Sequence, residues 1–166
     1  MQLARAEGGR LQLDYVSDLR PVAQILTEDL SLSEGRGRVS LDISDTPILS
    51  DLDPDVFAII YRNLVENALR HGTGDEAVHI SLMSDGLLRV TNDGAVVPKE
   101  VLHRLTDRFE RVDFGSEGSG LGLAIVNAIA ERVGSKLSLR SPRPGFDSGF
   151  EASIMVALKV VKQDLK

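Results

Sequence analysis

Five residues of one segment could do chemistry together. Asn63, Glu66, Asn67, Arg70 and His71 stand at i, i+3, i+4, i+7 and i+8, which puts them on one face of a helix. A merely solvated face would ordinarily carry lysine and glutamate, because asparagine is a mediocre helix former. Asparagine oxygens suit a hard cation such as Mg²⁺, shared with phosphate oxygens and water. Arg70, one turn from Asn67, is placed to reach a phosphate. His71 either complements the dipole at the helix end or lies against a ligand. The plain alternative for the whole stripe is the wet side of an amphipathic helix.

A second segment is rich in glycine. Gly118-Ser119-Gly120-Leu121-Gly122-Leu123 leads into an apolar helix expected over 124–133. Glycines allow the backbone close to a ligand, and a helix start offers unpaired N–H groups and partial positive charge. No Gly-Lys-Ser/Thr follows, so this is not a Walker loop. An arginine-rich loop rather than a strand precedes it, so it fits a dinucleotide fingerprint poorly. Taken alone it is equally well a flexible, glycine-capped loop.

The elements that must position these segments follow from periodicity. Leu11, Leu13 and Tyr15 alternate as a strand, and Ser17 fits an N-cap for a helix carrying Val22, Ile25, Leu26 and Leu30. Val39, Leu41 and Ile43 alternate, and Pro47 to Leu52 adds a further extended stretch. Asp53-Pro54 is a strong helix start, with Phe57, Ile60, Leu64 and Ala68 as the apolar stripe and Gly72 as the stop after His71. Strands are expected at Val78–Leu82 and from Leu88, joined by an Asp85-Gly86 hairpin. Asn92-Asp93-Gly94 breaks the strand pattern. A short helix at 98–104, a strand at Leu137–Leu139, a turn at Pro142–Gly145 and a last strand at Phe150–Leu158 complete the layout. The sum is an α+β fold, a two-layer sandwich with helices on one face of a mixed sheet. Residues 1–9 read as the tail of a longer upstream helix, 10–160 as the domain and 161–166 as a tail.

Composition excludes much else. The chain has 166 residues, 42% hydrophobic and 27% charged, a length that suits one domain. It contains no cysteine, which removes disulfides, thiolate zinc sites and thiol catalysis. The net charge of −6 argues against a nucleic-acid surface and against contact with an anionic membrane. Aromatics are 4% with no tryptophan, so a base-stacking platform for single strands is not expected. The apolar runs are far shorter than the roughly 18 residues that span a bilayer.

In this order, four segments resemble the ATP-binding domain of bacterial sensor histidine kinases, in the GHKL ATPase superfamily. Asn63 to His71 resembles the N box, Val90 to Pro98 the first glycine box, Leu105 to Asp113 the phenylalanine box with Phe109, and Gly118 to Leu123 the second glycine box. The resemblance implies a mixed, mostly antiparallel sheet backing three helices, with ATP between the N-box helix and a mobile lid at about Arg111 to Gly118. It implies that Asn67 ligates Mg²⁺ with Asn63 and Glu66 in support. Arg70 then contacts the phosphates, His71 packs by the nucleotide, and Arg111 reaches the terminal phosphate. Gly118, Ser119, Gly120, Leu121, Gly122 and Leu123 flank the triphosphate. Asn92 stands where the family usually has its adenine-reading aspartate, with Asp93 and Gly94 beside it; a register shift of one would give that role to Asp93. Val96 replaces the box's second glycine, and Thr106 stands where an aromatic is common.

What the resemblance implies for function is transfer of the γ-phosphate of Mg-ATP to a histidine on a dimerisation domain, with a response regulator served indirectly. The full-length protein would be a homodimer and an inner-membrane sensor, this part a cytoplasmic monomer. Gyrase-type relatives carry a water-orienting glutamate where this chain has Asn63, so hydrolysis should be slow. His71, His79 and His103 do not read as phosphoacceptors, so the chain should bind ATP without phosphorylating itself. Two other readings stand beside this one: an anti-sigma-factor-type serine kinase, and a degenerate module that docks a partner without catalysis.

Overall fold

The computed structural model describes residues 10–35, 38–73, 77–106 and 122–157. Strands are β1 (Gln12–Asp18), β2 (Val39–Ile43), β3 (Leu49–Leu52), β4 (Val78–Leu82), β5 (Leu87–Asn92), β6 (Leu137–Arg140) and β7 (Phe150–Met155). Helices are α1 (Arg20–Leu30), α2 (Pro54–His71), α3 (Lys99–Arg104) and α4 (Gly122–Arg132), and a π-helical turn over Ser31–Gly35 extends α1.

Five strands form one sheet in the order β2-β4-β5-β7-β6, and β1 pairs with β3 in a separate antiparallel ribbon. Only β2–β4 is parallel within the larger sheet. Period-two alternation sorts its faces. Ile80, Leu82, Leu88, Val90, Ala152 and Ile154 are buried beneath the helices, while Ser40, His79 and Arg89 stand exposed on the other face. Helix α2 lies between α1 and α4 and packs on β4 and β5; α1 reaches β2 and α4 reaches β6. This is the expected two-layer α+β sandwich.

Helix α2 anchors the core. The Asp53 carboxylate accepts the Asp55 N–H at 2.8 Å, and Pro54 supplies the preset first turn, as the sequence predicts. Phe57, Ile60, Leu64 and Ala68 are all buried, and so are Val56, Ile59, Tyr61 and Val65. Burying a side chain of this kind contributes about 1.5–3 kcal/mol, so α2 carries a large share of the apolar driving force. The Tyr61 hydroxyl pairs with Thr27 of α1, and burial pushes its pKa up to about 12.

Four local expectations need correction. Ser17 does not cap α1: it lies in β1 with its hydroxyl buried and unpartnered, and Leu19 occupies the cap position. The Asp18 carboxylate does the capping work instead. It accepts the Arg20 N–H at 3.1 Å and the Ile48 N–H at 3.0 Å, so it ties α1 to the start of β3. The Arg20 side chain beside it holds the Asp18 carboxyl below the usual carboxylate range. Ile25 is 66% exposed, because the buried stripe of α1 is Ala23, Leu26 and Leu30, and two residues from Ala23 is about 200° around the helix. Gly72 ends α2 as expected, in extended backbone with φ −67° and ψ 149°. Helix α4 begins at Gly122 rather than 124, and β7 ends at Met155.

Ser50 joins the two sheets. It is fully buried, donates to the Val156 carbonyl at 2.5 Å and accepts the Leu52 N–H at 3.1 Å. Ser50→Ala strands both backbone groups and should cost about 1–3 kcal/mol in urea unfolding. A loss under about 0.5 kcal/mol would mean the link is not needed.

Candidate functional site

A cleft of about 300 Å³ opens between the C-terminal end of α2 and the ends of β5 and β7. That volume is at the lower end of the range for small-molecule sites. Asn67, Arg70 and His71 line it from the last turns of α2, Asn92 from the end of β5, and Leu123 from the first turn of α4. Gly94 to Val97, Leu105 and Phe150 supply a largely apolar remainder. The cleft thus combines polar side chains of the α2 stripe with a largely apolar lining. Phe150 was not signalled by any motif. It enters because β5 and β7 pair in register, which sets Phe150 opposite Asn92.

Asn92 is 2% exposed and holds the most informative atom of the cleft. Its Nδ2 donates to the Asp93 carbonyl at 2.7 Å, while its Oδ1 is buried without a hydrogen-bond partner. Three buried side-chain atoms lack partners among the described residues, and Asn92 Oδ1 alone belongs to a cleft-lining residue. A buried acceptor left unpaired costs about 1–3 kcal/mol, which a ligand's N–H would recover.

Asp93 faces the other way and does not line the cleft. Its carboxylate accepts the Ser148 hydroxyl at 2.7 Å and lies 3.7 Å from the Arg143 guanidinium. The Ser148 hydroxyl, the Gly94 N–H and the Arg143 charge together hold its carboxyl below the usual range. Asn63 also lies off the cleft. Its Nδ2 donates to the Ile59 carbonyl at 2.7 Å, and a Cβ on Gly122 would stand 3.2 Å from its Oδ1. The glycine thus lets α4 start against the α2 stripe. Glu66 lies 3.9 Å from Arg62 on the same helix. Phe109, Arg111, Gly118, Ser119, Gly120 and Leu121, together with the expected lid, lie outside the described residues.

Among the described residues, no group of three or more His, Cys, Asp or Glu side chains gathers as a metal site. No helix there is long and apolar enough to cross a membrane.

The model of the histidine kinase-, DNA gyrase B-, and HSP90-like ATPases matches residues 52–160, and the chain belongs to that family. Over 152 residues it is 37% identical to the probable sensor kinase SilS of Salmonella typhimurium, covering 84% of this chain and 30% of that protein. Over 154 residues it is 31% identical to the sensor protein QseC of Escherichia coli K12, covering 86% of this chain and 33% of that protein. The fold is similar to that of the mycobacterial sensor histidine kinase MprB, with a TM-score of 0.70 at 24% identity, covering 85% of this chain and 95% of that one. The chain spans about a third of the length of the curated relatives it matches.

Burial, and then the Arg70 charge, push the His71 pKa below its ordinary 6.5. The unfolded chain therefore takes up this proton first as pH falls. The stability that depends on a neutral ring is complete above about pH 6.5 and is lost as pH drops toward the folded value. His71→Asn should remove this slope: measured by urea unfolding, the stability gap between wild type and variant should close as pH falls from 7 to 5. A gap independent of pH would contradict the desolvated ring.

Proposed function

We propose that the cleft binds ATP with Mg²⁺ and presents its γ-phosphate to a histidine on a separate dimerisation domain. The observation that carries this reading is the unpartnered Asn92 Oδ1 in a cleft that Asn67 and Arg70 also line. An acceptor at that depth suits the 6-amino donor of adenine. A carboxamide oxygen and a guanidinium about one helical turn apart suit the metal-bearing, anionic end of the nucleotide. Membership in an ATPase family and likeness to sensor kinases support the same assignment.

The residues present favour transfer over hydrolysis. Asn63 is a carboxamide and cannot act as general base toward water. An imidazole needs no such help. Its unprotonated nitrogen forms the N–P bond as the bond from the γ-phosphorus to the bridging oxygen breaks. ADP leaves with that electron pair, and the imidazole proton passes to solvent. Such transfer depends mainly on positioning and charge neutralisation. Asn67 would hold the metal, Arg70 would neutralise phosphate charge, and Arg111 would join from the lid. His71 sits in the cleft wall, and His79 on the outer sheet face bonds Ser40 at 2.8 Å. Neither placement suits an acceptor that must meet an incoming phosphate. Partners would be the dimerisation domain in a homodimer and, through it, a response regulator; the full-length protein would be a membrane-anchored sensor.

Calorimetry tests the metal end. Asn67→Ala should weaken Mg-ATP binding by at least about tenfold with an unchanged far-UV spectrum. Affinity like that of the wild type would remove the metal assignment. Labelled ATP tests the acceptor. The chain alone should stay unlabelled, and an added dimerisation domain should take acid-labile label on histidine. Label on His79 or His103 would refute transfer in trans.

A further inference from the structure

The segment between β6 and β7, residues 141–149, is bound to the turn that follows Asn92 at several points. The Gly149 N–H donates to the Gly94 carbonyl at 2.8 Å. The Ser141 hydroxyl donates to the Gly149 carbonyl at 2.6 Å and accepts the Val97 N–H at 2.8 Å. Ser148 and Arg143 hold the Asp93 carboxylate, as described above. The Arg143 guanidinium stacks 3.9 Å from the Phe146 ring centroid, and its side chain is only 11% exposed. Gly149 has φ +90°, and a Cβ there would come within 2.5 Å of the Asn92 carbonyl, so the loop can approach this closely only with glycine at that place.

These contacts reach the cleft through the Asp93 carbonyl. The Asp93 carboxylate is held by Ser148 and Arg143, and the Gly94 carbonyl by the Gly149 N–H. With the backbone pinned on both sides of this peptide, the Asp93 carbonyl is set to accept Asn92 Nδ2 at 2.7 Å. Only the NH₂ end of an amide can serve a carbonyl, so the Asn92 Oδ1 is left as the acceptor. A free asparagine could flip and offer either group. Adenine presents a 6-amino donor at this edge, and guanine a 6-oxo acceptor.

We propose that Ser148 and Arg143 are positioning residues that make the cleft choose adenine over guanine by holding the Asn92 amide in one orientation. The inference rests on the nucleotide reading above and adds a specificity device to it. The device is needed only because residue 92 is an asparagine. A carboxylate has two equivalent oxygens and nothing to orient.

Competition binding of ATP and GTP, each with Mg²⁺, tests this on the whole chain. The variants are Ser148→Ala, Ser148→Thr, Arg143→Met and Asn92→Asp, with Ser148→Ala also combined with Asn92→Asp. Wild type should prefer ATP. Ser148→Ala should narrow the ratio of the two Kd values by about three- to tenfold, and Arg143→Met should narrow it in the same direction. Ser148→Thr keeps a hydroxyl and should hold the ratio within about twofold of wild type. In the Asn92→Asp background, Ser148→Ala should shift the ratio by less than about twofold. An unchanged ratio in Ser148→Ala, or an equal loss in the Asn92→Asp background, overturns the proposal. Wild type that binds both nucleotides equally also overturns it, yet leaves the nucleotide site standing. Wild type that binds neither removes both.

Discussion

Burial of α2 between α1 and α4 sets the geometry on which the cleft depends. The first turns of α2 are surrounded, so Val56, Phe57, Ile59, Ile60 and Tyr61 are buried nearly all round the helix. Toward the C-terminus the cover thins. Leu64, Val65 and Ala68 keep one side in the core, and Asn67, Arg70 and His71 are left to line the cleft. One rigid element is therefore both core and wall. Packed interiors transmit strain rather than absorb it. A core substitution such as Leu64→Ala, worth about 2–5 kcal/mol by its class, would be felt one turn away at Asn67. Asn67 lines the cleft and Asn63 donates to the Ile59 carbonyl, so neither asparagine is placed by local helix propensity, which does not favour it.

Much of this was legible in the sequence because it rests on short-range periodicity. The 3.6-residue stripe of α2, its Asp53-Pro54 start and the alternating strands each declare themselves within a dozen residues. The failures have a shared cause. Ser17 and Asp18 are both competent caps, and the choice between them is made by Ile48, thirty residues away, whose N–H also needs the Asp18 oxygen. Ile25 belongs to the apolar count of α1 but not to its buried arc, which tertiary contact with α2 and β2 decides. For the site, the helix half was readable, since five residues share a face. Only three of the five line the cleft. Phe150 and the Ser141–Gly149 contacts come from strand pairing and loop docking, for which no local pattern exists.

Val90 and Asn92 lie on the same side of β5, and both are buried, at 1% and 2% exposed, while Thr91 is only partly covered. Alternation alone thus places residue 92, not 93, toward the helices and the cleft. The pleat puts the Asn92 side chain, not that of Asp93, on the cleft side because β5 continues to its last residue. Pairing with β7 through Asn92 opposite Phe150 guarantees that continuation.

The order Asn92-Asp93 also has an electrostatic logic. A carboxylate at 92 would sit in a 2% exposed position lined mainly by apolar groups, where burial opposes the charged form. Arg143 and Ser148 meet the charge at 93 instead. The arrangement keeps a neutral acceptor in the buried place and puts the anion where a hydroxyl and a guanidinium partner it. Neutrality has a cost, because an amide, unlike a carboxylate, must be told which end to present. The Asp93 carbonyl conveys that instruction: it accepts Asn92 Nδ2, while the carboxylate of the same residue finds its partners in the β6–β7 loop. Placing the charge at 93 and fixing the amide at 92 are therefore one structural solution, and the loop that holds the charge shapes the cleft although it does not line it.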